Sequence, residues 1–112
     1  MKEIKAIVKP FKVDSILGKL LEAGYPNITV SLGEGTGSYT DDTDDEPANS
    51  TCFSFTNVEV VKIEIVCHDT DVEKVAGIIS SQGRTGSPGD GIIYITDVVK
   101  SFRVKTGTEL FF

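Results

Sequence analysis

The chain has 112 residues and a mass of 12.1 kDa, room for one hydrophobic core and not two. Its 39% hydrophobic, 25% charged and 8% aromatic residues suit a folded globular domain and exclude a disordered or fibrous chain. A net charge of −6 and a pI near 4.6 exclude a protein built to grip nucleic acid, which needs a basic face.

No run approaches the roughly 20 apolar residues of a membrane span, and the first ten residues hold no apolar secretion core. A cytoplasmic protein without membrane insertion is expected. Two cysteines, Cys52 and Cys67, are too few for a disulfide scaffold and lack the His pairing of a zinc site, so both read as free thiols, Cys67 buried. The charge is unevenly spread. From Leu20 to Val61 there are eight carboxylates and no Lys or Arg, which leaves the rest of the chain at +2.

Glu3 to Val8 reads as a strand ended by Pro10. Val13, Ile16, Leu17, Leu20 and Leu21 then form one apolar stripe at helical spacing, with Gly24 where a helix C′ residue belongs. Ile28 to Leu32 is a short strand, and from Gly33 a glycine-rich, then acidic run without periodicity reads as a long loop reaching Asn49. Val58 to Cys67 alternates among β-branched residues and is the longest expected strand. Asp69 or Asp71 is the expected cap of a second helix with the stripe Val72, Val75, Ala76 and Ile79, ending before Gly83. The turn-rich run from Arg84 to Gly91, a strand from Ile92 to Val98 and a short final strand from Phe102 to Lys105 complete the chain.

The order β, α, β, loop, β, α, β predicts an α+β, ferredoxin-like βαββαβ sandwich, an antiparallel sheet with two helices on one face. The other face then lacks a cover, and alternating apolar residues there predict a homo-oligomer.

Catalytic residues are scarce. His68 is the only histidine, sits at a strand-to-helix junction and reads as structural. Asp41, Asp42, Asp44, Asp45 and Glu46 could attract a divalent cation. An EF-hand loop starting at Asp42 would need Gly and Glu where Pro47 and Phe53 stand, so a solvated charge run is the preferred reading. In Arg84-Thr85-Gly86-Ser87-Pro88-Gly89-Asp90-Gly91, the glycines let the backbone approach an anion and point N–H groups at it. Arg103 and Lys105, alternating on the last expected strand, would point toward a common anion; the alternative is a solvated edge pair.

Taken in order, Ile7-Val8-Lys9-Pro10-Phe11-Lys12, Gly24, Thr29-Val30, Gly35, Gly37, the run from Val61 to Val66, Arg84-Thr85-Gly86, Gly89-Asp90-Gly91 and Arg103-Val104-Lys105-Thr106-Gly107 resemble the PII nitrogen-regulatory signal-transduction family over nearly the whole chain. The resemblance implies a single domain over residues 1–112, with a T-loop at about 36–57, a B-loop at 84–91 and a C-terminal segment at 101–112. It implies a homotrimer whose clefts between subunits bind an adenine nucleotide as effector, with no tightly bound cofactor and no enzymatic activity. It also implies a T-loop that contacts a transporter or enzyme. By position, Thr29 and Glu64 would face the adenine, and Gly35 and Gly37 the base of the T-loop beside the phosphates. Gly89, Asp90 and Gly91 would hold phosphates and ribose, with Arg103 and Lys105 from a neighbouring subunit.

Three departures from the family pattern sit at the triphosphate end. Ile92 replaces a phosphate-binding Lys, Ser38-Tyr39 replaces Arg-Gln with its metal ligand, and Val60 replaces the Lys that helps bind 2-oxoglutarate. With the acidic run at Asp41, Asp42, Asp44, Asp45 and Glu46 as the partner-binding surface and its field reaching about 8 Å at physiological salt, ADP or AMP is expected to bind better than ATP. Two other readings remain open: a trimeric metal-ion binder using the acidic run with Cys52, and a slow nucleotide hydrolase, against which the Tyr39 and Ile92 replacements argue.

Overall fold

The computed structural model describes residues 1–36 and 58–111. Strand β1 (Lys2–Val8) leads through a 3-10 turn (Pro10–Lys12) into helix α1 (Val13–Glu22), then β2 (Ile28–Gly35), β3 (Val58–Cys67), a second 3-10 turn (Asp69–Asp71), helix α2 (Val72–Gly83) and β4 (Gly91–Asp97). The four strands form one sheet in the order β2-β3-β1-β4, every neighbouring pair antiparallel. This is the ferredoxin-like α+β arrangement expected from the sequence.

The period of two in the strands decides what is buried. Ile4, Ala6 and Val8 of β1 and Val61, Ile63, Ile65 and Cys67 of β3 point to one face. There they pack with Ile16 and Leu20 of α1 and Val75 and Ile79 of α2. The register places Ile4 opposite Ile65 and Ala6 opposite Ile63, so the two central strands align their apolar sets. Helix α1 stops where the sequence says it should: Gly24 adopts φ +94°, and the Tyr25 N–H reaches back to the Leu20 carbonyl at 2.9 Å. Its buried stripe is narrower than expected, because Leu21 is exposed and only Ile16 and Leu20 are fully inside.

Four expectations are corrected. β2 continues through Gly33, Glu34 and Gly35, which keep pairing with Val60, Glu59 and Val58, so the strand outlasts its apolar residues. Asp71, one of the two expected residues, takes the N-cap position, but its side chain makes no capping bond to α2. His68 caps the short turn before it, its Nδ1 accepting from the Thr70 N–H at 3.1 Å, while Asp69 holds the chain's amino terminus at 2.8 Å. β4 begins at Gly91 and ends at Asp97 rather than running to Val98. The final strand at Phe102 to Lys105 is not formed. Phe102 makes an isolated bridge to Glu109 around a turn, with the Arg103 N–H bonded to the Thr108 carbonyl and the Gly107 N–H to the Arg103 carbonyl, both at 2.8 Å.

The sheet face away from the helices carries Ile7, Ile92, Tyr94 and Val66 beside Lys5, Lys62 and Glu64. Lys5 lies 3.8 Å from Glu64 and 5.9 Å from the Tyr94 ring centre. No helix among the described residues is long and apolar enough to cross a membrane.

Candidate functional site

The turn-rich loop between α2 and β4 is set by its ends. Arg84 closes α2: its N–H and Nε reach the Ser80 carbonyl at 3.1 and 3.2 Å, and Nη2 reaches Ser80 Oγ at 3.0 Å, which puts a cation on the negative end of the helix. Ser87-Pro88-Gly89-Asp90 has proline followed by glycine at φ +86°, the order of a type II turn. Gly91 enters β4 at φ +111°, where a Cβ would lie 1.8 Å from the Ile7 carbonyl oxygen, so no other residue fits.

Within this loop the Asp90 carboxylate is turned inward. It accepts from the Thr85 N–H at 2.8 Å, the Gly86 N–H at 2.9 Å and the Thr85 hydroxyl, and Lys9 Nζ lies 3.3 Å away. Burial works against its ionisation, but the bonds from Thr85, Gly86 and Lys9 outweigh that cost and hold the carboxyl well below the usual carboxylate range. Asp90 is therefore spent on ordering the loop. Gly89, by contrast, has an N–H that makes no hydrogen bond among the described residues.

Gly89 and Gly91 line a cavity of 250 Å³ with Ile7, Phe11, Val58 and Val60. Among the described residues its wall is largely apolar, its one cation, Lys9, is held by Asp90, and Glu59 adds a negative charge. A smaller cavity of 180 Å³ lies behind the loop between Ile79, Arg84 and Ile93. Further along the sheet, a third of 260 Å³ is lined by Glu3, Asn27, Thr29 and Glu64. Thr29 and Glu64 are directly opposed across β2 and β3, about 13 Å along the strand from Val60.

The candidate residues thus fall into groups. Thr29 and Glu64 meet on one face. Gly89, Asp90 and Gly91 share a loop, and Gly35 pairs with Val58, which lines the cavity that Gly89 and Gly91 border, although β2 and β4 form opposite edges of the sheet. Gly37, Ser38, Tyr39, Cys52 and the acidic residues Asp41, Asp42, Asp44, Asp45 and Glu46 lie outside the described residues. Among the described residues no three His, Cys, Asp or Glu side chains gather as a metal site.

Arg103 and Lys105 do not join the loop in their own chain. They sit on the C-terminal turn, and that segment is tied to the amino terminus: the Val98 N–H bonds the Met1 carbonyl at 3.1 Å, Ser101 Oγ lies 3.4 Å from Met1 Sδ, and the Leu110 N–H bonds the Ser101 carbonyl. Met1 precedes β1, whereas Gly91 pairs with Val8 at its far end. The tie and the glycine loop are therefore separated by roughly 20 Å of strand. The alternation expected of these two side chains falls with the missing strand, and both are exposed.

Sequence reasoning missed Lys9 and Thr85 as members of the loop's hydrogen-bond set. Their only signal was position, Lys9 before the strand-ending Pro10 and Thr85 opening the glycine run. Elsewhere, burial pushes the Cys67 thiol up, with Asp71 adding to it, which leaves an unreactive thiol. His68 serves as a cap, in keeping with a structural role.

The model of the family described as "Nitrogen regulatory protein P-II" matches residues 1–108. A "Nitrogen regulatory protein P-II" of Nostoc punctiforme is 36% identical over 109 residues, covering 97% of this chain and 96% of its own. One from Azospirillum brasilense is 37% identical over the same shares, as is the "Nitrogen regulatory protein P-II 1" of Escherichia coli.

Proposed function

Because the chain belongs to the nitrogen regulatory protein P-II family, and is thus a regulatory signal transducer and not an enzyme, we propose that it is a cytoplasmic homotrimer. In this reading it binds ADP or AMP in preference to ATP in clefts between subunits and passes that state to a partner protein through its acidic loop. The observation that carries the preference is the cavity beside the glycine loop. It is bordered by Gly89, has apolar walls at Val58 and Val60, and among the described residues its one cation, Lys9, is already neutralised by Asp90. Ile92, the next residue of β4, is exposed and adds no charge. One or two phosphates can be met by N–H groups and by Arg103 and Lys105 of a neighbouring copy. A third would enter a space with Glu59 and nothing to offset its charge.

Two features support the assembly. The open sheet face combines half-exposed Ile92 and Tyr94 with a Lys5–Glu64 pair that is already neutral, a surface suited to a second copy. And the segment carrying the cationic residues is tied to the start of β1 while the glycine loop lies at its far end, an arrangement that two copies would complete. Thr29 and Glu64, with Gly35 and Gly37, complete the adenine and loop-base sides of this cleft. Asp90 acts in it by holding the loop rather than by touching ligand.

Signalling of this kind needs only that the nucleotide bind one loop state better than another, each tenfold difference being worth about 1.4 kcal/mol. The acidic residues Asp41, Asp42, Asp44, Asp45 and Glu46 favour a basic partner surface, such as the inner side of a transporter. Replacing all five by Asn or Gln is expected to weaken capture of that partner at low salt, and unchanged capture would remove the charge argument.

Calorimetric titration with AMP, ADP and ATP, each with and without Mg²⁺ and 2-oxoglutarate, tests the nucleotide reading. Binding of ADP or AMP at up to one site per subunit, with ATP weaker and 2-oxoglutarate without effect, is the expected result. Tight ATP binding enhanced by 2-oxoglutarate would overturn it.

A further inference from the structure

The glycine loop is braced from within by two side chains that come from far apart in the chain. Thr85 is the centre of the brace. Its hydroxyl donates to Asp90 Oδ1 and accepts from the Ser87 N–H at 3.1 Å and from Lys9 Nζ at 3.3 Å, while its own N–H donates to Asp90 Oδ2. A hydroxyl has one proton to give and two lone pairs, so its capacity is used up. Lys9 arrives from the end of β1 and touches both Thr85 and Asp90 at 3.3 Å. With four-fifths of its side chain and about three-quarters of that of Asp90 covered, this is not a solvated surface pair.

The brace joins the two ends of the turn at Pro88 and Gly89, residues 85 and 90, and fastens both to the sheet. Gly89, which lines the cavity and whose N–H makes no hydrogen bond among the described residues, is the part left over for an incoming group. We propose that Thr85 and Lys9 are positioning residues for the phosphate end of the nucleotide: with their polar ends committed to Asp90 and to each other, they hold Gly89 on the cavity before the ligand arrives. Ordering a loop residue costs conformational entropy, and a loop ordered in advance does not levy that cost on binding. The adenine end, at Thr29 and Glu64, lies roughly 13 Å away along the strand and is untouched by the brace.

This rests on the nucleotide reading above, and the test separates the two. ADP and adenosine are titrated into the full-length wild type and into Thr85→Val, Thr85→Ser and Lys9→Gln. Thr85→Val and Lys9→Gln are expected to weaken ADP at least tenfold while adenosine changes less than twofold, and Thr85→Ser to restore ADP to within about threefold. Equal losses for ADP and adenosine, which a merely structural role would give, overturn the inference, as does an unchanged ADP affinity in both variants. If Thr85→Val does not fold, Lys9→Gln alone decides between these outcomes. A wild type that binds neither ligand overturns the nucleotide reading and the positioning role with it, whereas a wild type that binds both leaves the variants to judge the brace alone.

Discussion

Gly91 is the position with least freedom in the chain. A methyl group there would overlap the Ile7 carbonyl and face a left-handed backbone, so neither a side-chain shift nor a small rotation relieves it. Gly91→Ala is expected to cost more than about 3 kcal/mol, read as a lost or strongly shifted denaturant midpoint, since β1 and β4 would have to part. Asp90 contributes to the acid response. Its carboxyl is held below the ordinary range in the fold, so its contribution is fully present above about pH 4, the unfolded value, and fades as the pH falls further toward the folded value. Asp90→Asn is expected to lower stability by about 1–3 kcal/mol near neutrality and to flatten the decline of stability below pH 4. An acid limb identical to that of the wild type would contradict this. The sequence pointed to Asp90 as a phosphate neighbour, but which way its side chain turns depends on Thr85 and Lys9, and Lys9 lies 81 positions earlier in the chain. No local pattern encodes that contact.

At the level of elements, the helices and the central strands were legible because their periodicity is also their burial. Val75 and Ile79 are inside as the stripe predicts, and β3 runs over the residues whose alternation marked it. Leu20→Ala, at the point where α1 meets the sheet, is expected to cost about 2–5 kcal/mol with unfolding remaining a single transition. Leu21→Ala, on the exposed side, should stay within about 0.5 kcal/mol. The errors fell where pattern and pairing part company. β2 extends through Gly33, Glu34 and Gly35 because β3 offers a partner edge, not because those residues favour strands. Phe102 to Lys105 alternates like a strand, yet the turn that returns the chain to Glu109 leaves Val104 fully exposed and gives the segment no sheet to join.

For the whole molecule, the family and the ferredoxin-like plan could be read from residues in order, whereas the arrangement of the site could not. One chain separates its glycine loop from Arg103 and Lys105 by the length of the sheet. A cleft that uses both must be shared between copies, and the open face with Ile7, Ile92 and Tyr94 is where copies would meet. In the proposed reading, the apolar surroundings of the loop would limit how many phosphates are welcome. Charge on the ligand would be met by the neighbour's two cations and by Gly89, not by the walls of the cavity.

The most direct measurement of that shared cleft mixes two damaged proteins. Gly89→Asp places an anion where the phosphate would sit, and glycine's left-handed backbone there is one that Asp tolerates better than most residues. The double variant Arg103→Ala and Lys105→Ala removes the neighbour's cations. Each alone is expected to lose ADP binding. After the two are unfolded together and refolded in equal amounts, about a quarter of the clefts of randomly assembled trimers unite an intact loop with intact cations, and that fraction of the wild-type ADP sites should return. A mixture that binds no more ADP than its parents, or a double variant that binds ADP like the wild type, would contradict the account.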